Sequence, residues 1–186
     1  MKNVLIVSGH TDLKNDSVAN KTIINELKRL LPEAEYDILS DLYPDYRFDV
    51  KAEQKKLVKA DIIVWQFPVF WYSMPSLLRK WIEDVIVHGF AYGSTGMALK
   101  GKRLIASFTT GAPAEMYTKD GLVGYTIEDI IGAQLRPTAN LCGMQLADFV
   151  YTDSVSYAAR NEVGAIADIE KRSKEHARRL LEAIKS

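Results

Sequence analysis

The sequence predicts an α/β domain built on a five-stranded parallel sheet, doubly wound in the order 2-1-3-4-5. Three observations predict it. Short apolar runs rich in β-branched residues alternate five times with stretches of helical periodicity. The leading runs are apolar at successive positions, as strands buried on both faces are. The chemically unusual loops follow the first, third and fourth runs, whose carboxyl ends border the ligand crevice in that order.

Val4 to Val7 is the first strand, and the polar loop "SGHTDLKND" follows it. Ile23, Ile24, Leu27, Leu30 and Leu31 then recur at helical spacing, from a cap at Asp16 or Ser17. "AEYDIL" is the second strand, "DLYPDYRFD" an irregular connector and "VKAEQKKLVKA" a short, largely solvated helix. "DIIVWQ" is the third strand. Pro68 and Pro75 bracket a loop, and "PSLLRKWIEDVIVHG" is a helix with Pro75 in its first turn. "KRLIASFTT" is the fourth strand, "YTIEDIIGAQLRPTANLCG" a helix kinked at Pro137 and ended by Gly143, and "QLADFVYTD" the fifth strand. Residues 160–186 form a long amphipathic helix whose mixed charges read as a solvated face.

The 186 residues are expected to form one domain, 1–186. Lys plus Arg and Asp plus Glu both number 24, so neither the basic surplus of a nucleic-acid binder nor the acidic surplus of an electron carrier is present. Cys142 stands alone, which excludes an intramolecular disulfide and suits a reducing compartment. The first ten residues turn polar too early for a signal peptide, and no apolar run approaches the roughly 20 residues of a membrane span. These features predict a cytoplasmic protein without a transmembrane segment.

Each loop admits a plain reading beside a functional one. The first brings Ser17, Val18, Ala19 and Asn20 to a helix start, where unpaired N–H groups favour an anion, with His10 upstream. Simple capping is the alternative. The second, "FPVFWYSMP", crowds aromatics between two prolines; it is a platform for a flat ring, or satellite core. The third, "TTGAP", offers small residues for close backbone approach to a ligand, or is an ordinary turn. The chain has neither GxxxxGK[ST] nor GxGxxG nor GxSxG, and its three histidines lack metal-ligand spacing. A site so poor in acid, base and nucleophile suits a cofactor that brings its own reactivity.

"GH" with "SVAN", "WQFPVFWYSMP", "HGFAYG", and "TTG" with "MY" resemble the flavodoxin-like NAD(P)H:quinone oxidoreductases, from Leu5 to about Tyr151. "LYPD", "AEQ", "IVWQ" and "WYSMP" extend the likeness to the small bacterial members, including the reductase that accompanies glutathione-gated potassium efflux systems. The resemblance implies bound FMN, or FAD as in larger relatives, with NAD(P)H as co-substrate and a quinone or similar aromatic acceptor. It implies that His10 and Ser17 through Asn20 hold the flavin phosphate. Pro68, Val69, Phe70 and Trp71 would line the ribityl chain and ring, and Phe108, Thr109, Thr110 and Gly111 would present backbone groups to the ring edge. A homodimer with the site at its interface is implied as well. Tyr117 matches a catalytic tyrosine whose histidine partner is replaced here by Val123, and where relatives often have a second glycine after "TTG", Ala112 and then Pro113 follow, of which Pro113 offers no N–H. The expected activity is ping-pong, two-electron reduction. A single-electron carrier and a flavin-binding regulatory subunit of a potassium efflux transporter are the rival expectations.

Overall fold

The structure, a computed structural model, describes residues 2–186. Strands β1 (Val4–Ser8), β2 (Glu35–Ile38), β3 (Ile62–Pro68) and β4 (Arg103–Thr109) pair in parallel in the order β2-β1-β3-β4. The expected fifth strand is present in two pieces, β5 (Gln145–Leu146) and β6 (Val150–Thr152), both on the outer side of β4. Residue 103 pairs with 145 but 107 pairs with 150, so the edge carries one residue more than β4 over this stretch. That extra residue is a bulge of the kind favoured at sheet edges.

The period of two sorts the strands cleanly. Leu5, Val7, Ile63, Trp65 and Phe67 face one layer, formed by helices α3 (Val50–Lys59), α4 (Ser76–Val85) and α5 (Ile127–Leu141). Val4, Ile6, Ile62, Val64 and Ile105 face the other, formed by α1 (Ala19–Leu30) and α6 (Ala165–Lys185). Each face alone is apolar, so both helical layers bury their stripes against it. A short helix, α2 (Leu39–Leu42), occupies the start of the connector expected to be irregular.

Three local expectations need correction. The residue before α1 is Val18, whose side chain cannot cap; the Ser17 hydroxyl instead accepts the Lys21 N–H at 3.3 Å. Pro68 does not stop β3 but ends it, paired with Thr109 of β4; on its other side β1 has already ended at Ser8, opposite Gln66, so no ladder bond is lost with the missing N–H. The final helix starts at Ala165, not 160, after a 3₁₀ turn over Tyr157–Asn161 and a left-handed Gly164. Pro137 is accommodated inside α5, which runs on to Leu141. Among the described residues no helix is long and apolar enough to cross a membrane.

Candidate functional site

The loops after β1, β3 and β4 meet at the carboxyl edge of the sheet. Gly9 opens the first. A side chain there would come within 2.5 Å of Leu78 Cβ, so only glycine lets α4 pack against the end of β1. His10 is buried beside it, and burial pushes its pKa down although Asp16 and Asp12 pull it up. Its Nδ1 accepts the Asp12 N–H at 3.0 Å, which leaves the proton of the neutral ring on Nε2. The ring stands edge-on to Phe70, with centroids 5.7 Å apart. Beyond it, no acceptor among the described residues serves the N–H groups of Ser17, Val18, Ala19 or Asn20. These unpaired donors, at the start of a twelve-residue helix, favour an anion.

The second loop is a tight hairpin. Phe70 and Ser73 exchange both backbone hydrogen bonds at 3.0 Å, leaving Trp71 and Tyr72 as a two-residue turn. Both have positive φ, 48° and 61°, a conformation that normally selects Asn-Gly. Bulky residues there are strained, and such strain clusters at functional sites. Trp71 is 93% exposed. The satellite-core reading therefore holds for Phe67, which stacks on Phe108 in the core, and fails for Trp71.

After β4 the backbone turns away from the sheet. The Thr110 N–H is spent on the Thr152 carbonyl at 3.0 Å and its hydroxyl on the Ala112 carbonyl, while the N–H groups of Gly111 and Ala112 have no acceptor among the described residues. Phe108 is fully buried and paired with β3 on one side and β6 on the other. Neither Phe108 nor the Thr110 N–H is thus available to a ligand, a narrower donor set than the resemblance implies. Tyr117 is half-buried, burial raises its pKa, and it lies outside the cavity described next. The Val123 N–H bonds to the Met116 carbonyl, which sets Val123 beside the Tyr117 turn.

A cavity of about 230 Å³ lies where these loops converge. Ser17 through Asn20 form one wall, Pro68, Val69 and Phe70 a second, and Thr109 with Gly111 a third. Val155, Ser156 and Ile169 close the fourth. The sequence reading missed these three, since nothing in an ordinary loop and one helical isoleucine marks them; only the return of the chain past β6 brings them in. His10, Trp71, Phe108, Thr110 and Tyr117 do not line it. A larger concavity of 740 Å³ at the amino ends of β3 and β4 is lined mostly by charged side chains. Chemistry rather than volume separates the two: only the smaller one combines unpaired N–H donors with apolar walls. That donor set fits a phosphate ester carrying an apolar ring, which is what FMN is.

Comparison with known proteins agrees with the fold. A family model described as flavodoxin-like fold matches residues 2–180. The glutathione-regulated potassium-efflux system ancillary protein KefF of Enterobacter sp. (strain 638) is 39% identical over 142 residues, covering 76% of this chain and 78% of that protein. The general stress protein 14 of Treponema denticola, solved in complex with FMN, superposes with a TM-score of 0.85 at 28% identity, covering 97% of this chain and 99% of that one. A thermophilic tryptophan halogenase from Streptomycin violaceusniger has a TM-score of 0.80 at 32% identity, covering 92% and 96%. With the whole sheet, both helical layers and nearly every residue of the chain matched, this protein belongs to the flavodoxin-like fold family.

Proposed function

We propose that this protein binds FMN and is an NAD(P)H-dependent oxidoreductase that passes two electrons to a quinone or similar aromatic acceptor. The observation that carries the reading is the convergence of unpaired N–H groups and apolar walls on one cavity at the switch point of the sheet. Bound FMN would supply the redox chemistry, taking a hydride from NAD(P)H and passing the electrons on in a second, ping-pong half-reaction. The chain's own residues bind and orient. The N–H groups of Ser17 to Asn20 hold the phosphate, with His10 Nε2–H within the same loop as a further donor. Pro68, Val69 and Phe70 wall the ribityl chain, and the N–H groups of Gly111 and Ala112 are the donors left for negative charge on the ring. Tyr117 is an auxiliary donor rather than half of a relay, since Val123 offers no proton.

The cavity is smaller than the roughly 300–1,000 Å³ usual for a ligand pocket. Phe70 of its wall is also the first residue of the hairpin, whose Trp71 and Tyr72 stand exposed. A homodimer that buries the hairpin would complete the ring's enclosure, and a cytoplasmic location fits the NAD(P)H requirement. The FMN-bound relative supports FMN over FAD. The potassium-efflux relative supports a second reading, in which the same protein also docks on a transporter. Stopped-flow reduction of the FMN-loaded protein by NADPH and NADH tests the oxidoreductase reading. Rapid bleaching of the flavin followed by reoxidation with a quinone is expected; a bound flavin that neither nucleotide reduces would leave only the carrier or docking roles.

A further inference from the structure

The layer of side chains directly beneath the cavity is polar, not apolar. Toward their carboxyl ends the strands exchange the aliphatics of the α1–α6 face for Gln66, Ser107, Thr109 and Thr152, all buried. His176 of α6, with no exposed surface, sits among them. The Arg179 guanidinium donates to Thr152 Oγ1 at 2.7 Å, and Thr152 Oγ1 lies 3.0 Å from His176 Nδ1. His176 Nε2 lies 2.7 Å from Ser107 Oγ, which donates to Gln66 Oε1 at 2.5 Å. Gln66 Nε2 donates to Asn20 Oδ1 at 2.8 Å, and Asn20 Nδ2 to Thr109 Oγ1 at 2.9 Å. Six side chains thus link a surface cation to the cavity wall.

A chain of this kind can run in two directions, and the charge at one end selects between them. Arginine only donates. With Thr152 giving its proton to His176 Nδ1, every dipole points its positive end away from Arg179, and each step polarises the next. The reverse direction turns the His176 Nδ1–H toward the guanidinium and strands the Thr152 proton. In the favoured direction His176 carries its proton on Nε2, and the Thr109 hydroxyl, already accepting from Asn20, has its own hydrogen left over. Among the described residues nothing accepts it. Thr109 lines the cavity.

We propose that His176 is a positioning residue for the cofactor: through Ser107, Gln66 and Asn20 it holds the Thr109 hydroxyl as a donor to an oxygen acceptor of the bound molecule. Asn20 is then a link in the relay, and its side chain serves the phosphate only indirectly. This rests on the FMN reading, and the experiment separates the two. FMN affinity is measured for the parent, Thr109→Val, His176→Leu, His176→Gln and the double variant Thr109→Val/His176→Leu, with thermal unfolding of each apo protein as the control on folding. Each single loss of the relay is expected to weaken FMN about tenfold. His176→Gln, whose amide can stand in for the Nε2–H, should recover most of that. Thr109→Val should cost little more than about twofold once His176 is already Leu, because a linked pair is not additive. Equal cost of Thr109→Val in both backgrounds overturns the proposal, as does parent-like affinity in His176→Leu. If His176→Leu does not fold, Arg179→Met replaces it in the cycle, since that side chain lies at the surface. A ¹⁵N spectrum of His176 provides a reading independent of any ligand: the Nε2–H tautomer is expected, and the Nδ1–H tautomer refutes the direction of the relay. A parent that binds no FMN would instead refute the functional reading itself.

Discussion

Gly9 shows how much of a site can depend on a missing side chain. The position of Leu78 allows no Cβ there, so Gly9→Ala must push α4 outward and with it the hairpin that α4 follows. Overpacking of this kind costs about 1–3 kcal/mol, to be read from the urea midpoint. Asp37 makes a second residue-scale prediction. Lys56 Nζ bridges Asp37 Oδ1 at 2.5 Å and Glu53 Oε1 at 2.7 Å, so one cation serves two buried carboxylates, and Asp37 Oδ2 has no partner. Burial, only partly offset by Lys56, raises the Asp37 pKa to about 7 from 3.8. An acid whose folded pKa is raised binds its proton in the fold before it does so in the unfolded chain. Its contribution to stability therefore grows as pH falls from about 7 toward 3.8. His176 works in the opposite sense: burial holds it neutral, near 3, so the unfolded chain alone takes up protons below 6.5 and stability is lost as pH falls. Denaturant melts of the parent and Asp37→Asn from pH 7 to 4 should show the parent gaining relative to the variant on acidification. A pH-independent difference would refute the assignment.

At the scale of elements, β1, β3 and β4 were legible because they are buried on both faces, and burial writes continuous apolar runs. The edge was not. "QLADFVYTD" reads as one strand, yet a bulge splits it and carries Phe149 and Tyr151 onto Phe108, whose ring stacks on Tyr151 at 5.3 Å. That slip is a tertiary choice with no local signature. "VKAEQKKLVKA" reads as solvated, but Glu53 is fully buried, accepting from Tyr43, Trp81 and Lys56 at 2.7–2.8 Å. A carboxylate so well satisfied cannot be told from a surface one by periodicity. The hairpin was legible as aromatic and loop-like, but not its φ angles. Replacing Trp71-Tyr72 by Asn-Gly should stabilise the apo protein by about 1–3 kcal/mol, since it relieves two left-handed bulky residues. The same change should weaken FMN binding or activity, because the strained residues are the ones the proposed ring site uses. A variant that is no more stable than the parent would show that the turn carries no strain.

For the whole molecule, the order β2-β1-β3-β4 with its edge strand followed from counting strands and locating the odd loops. The crevice followed from the same geometry, and the cavity lies at the ends of the strands it named. The polar relay beneath it did not, because residues 20, 66, 107, 152 and 176 share no motif and meet only when the sheet assembles. Association is the prediction that belongs to this scale. Light scattering should give a dimer, and Trp71→Glu should drive it toward monomer while FMN affinity falls; a parent that is monomeric with FMN bound would contradict the shared site. The central claim, that unpaired N–H groups at the start of α1 hold the phosphate of FMN, is tested most directly by titrating the apo protein with FMN and with riboflavin. Charge-assisted hydrogen bonds contribute about 1.5–3 kcal/mol each, so FMN should bind roughly a hundredfold more tightly than riboflavin. Equal affinities, or no binding of either, would contradict it.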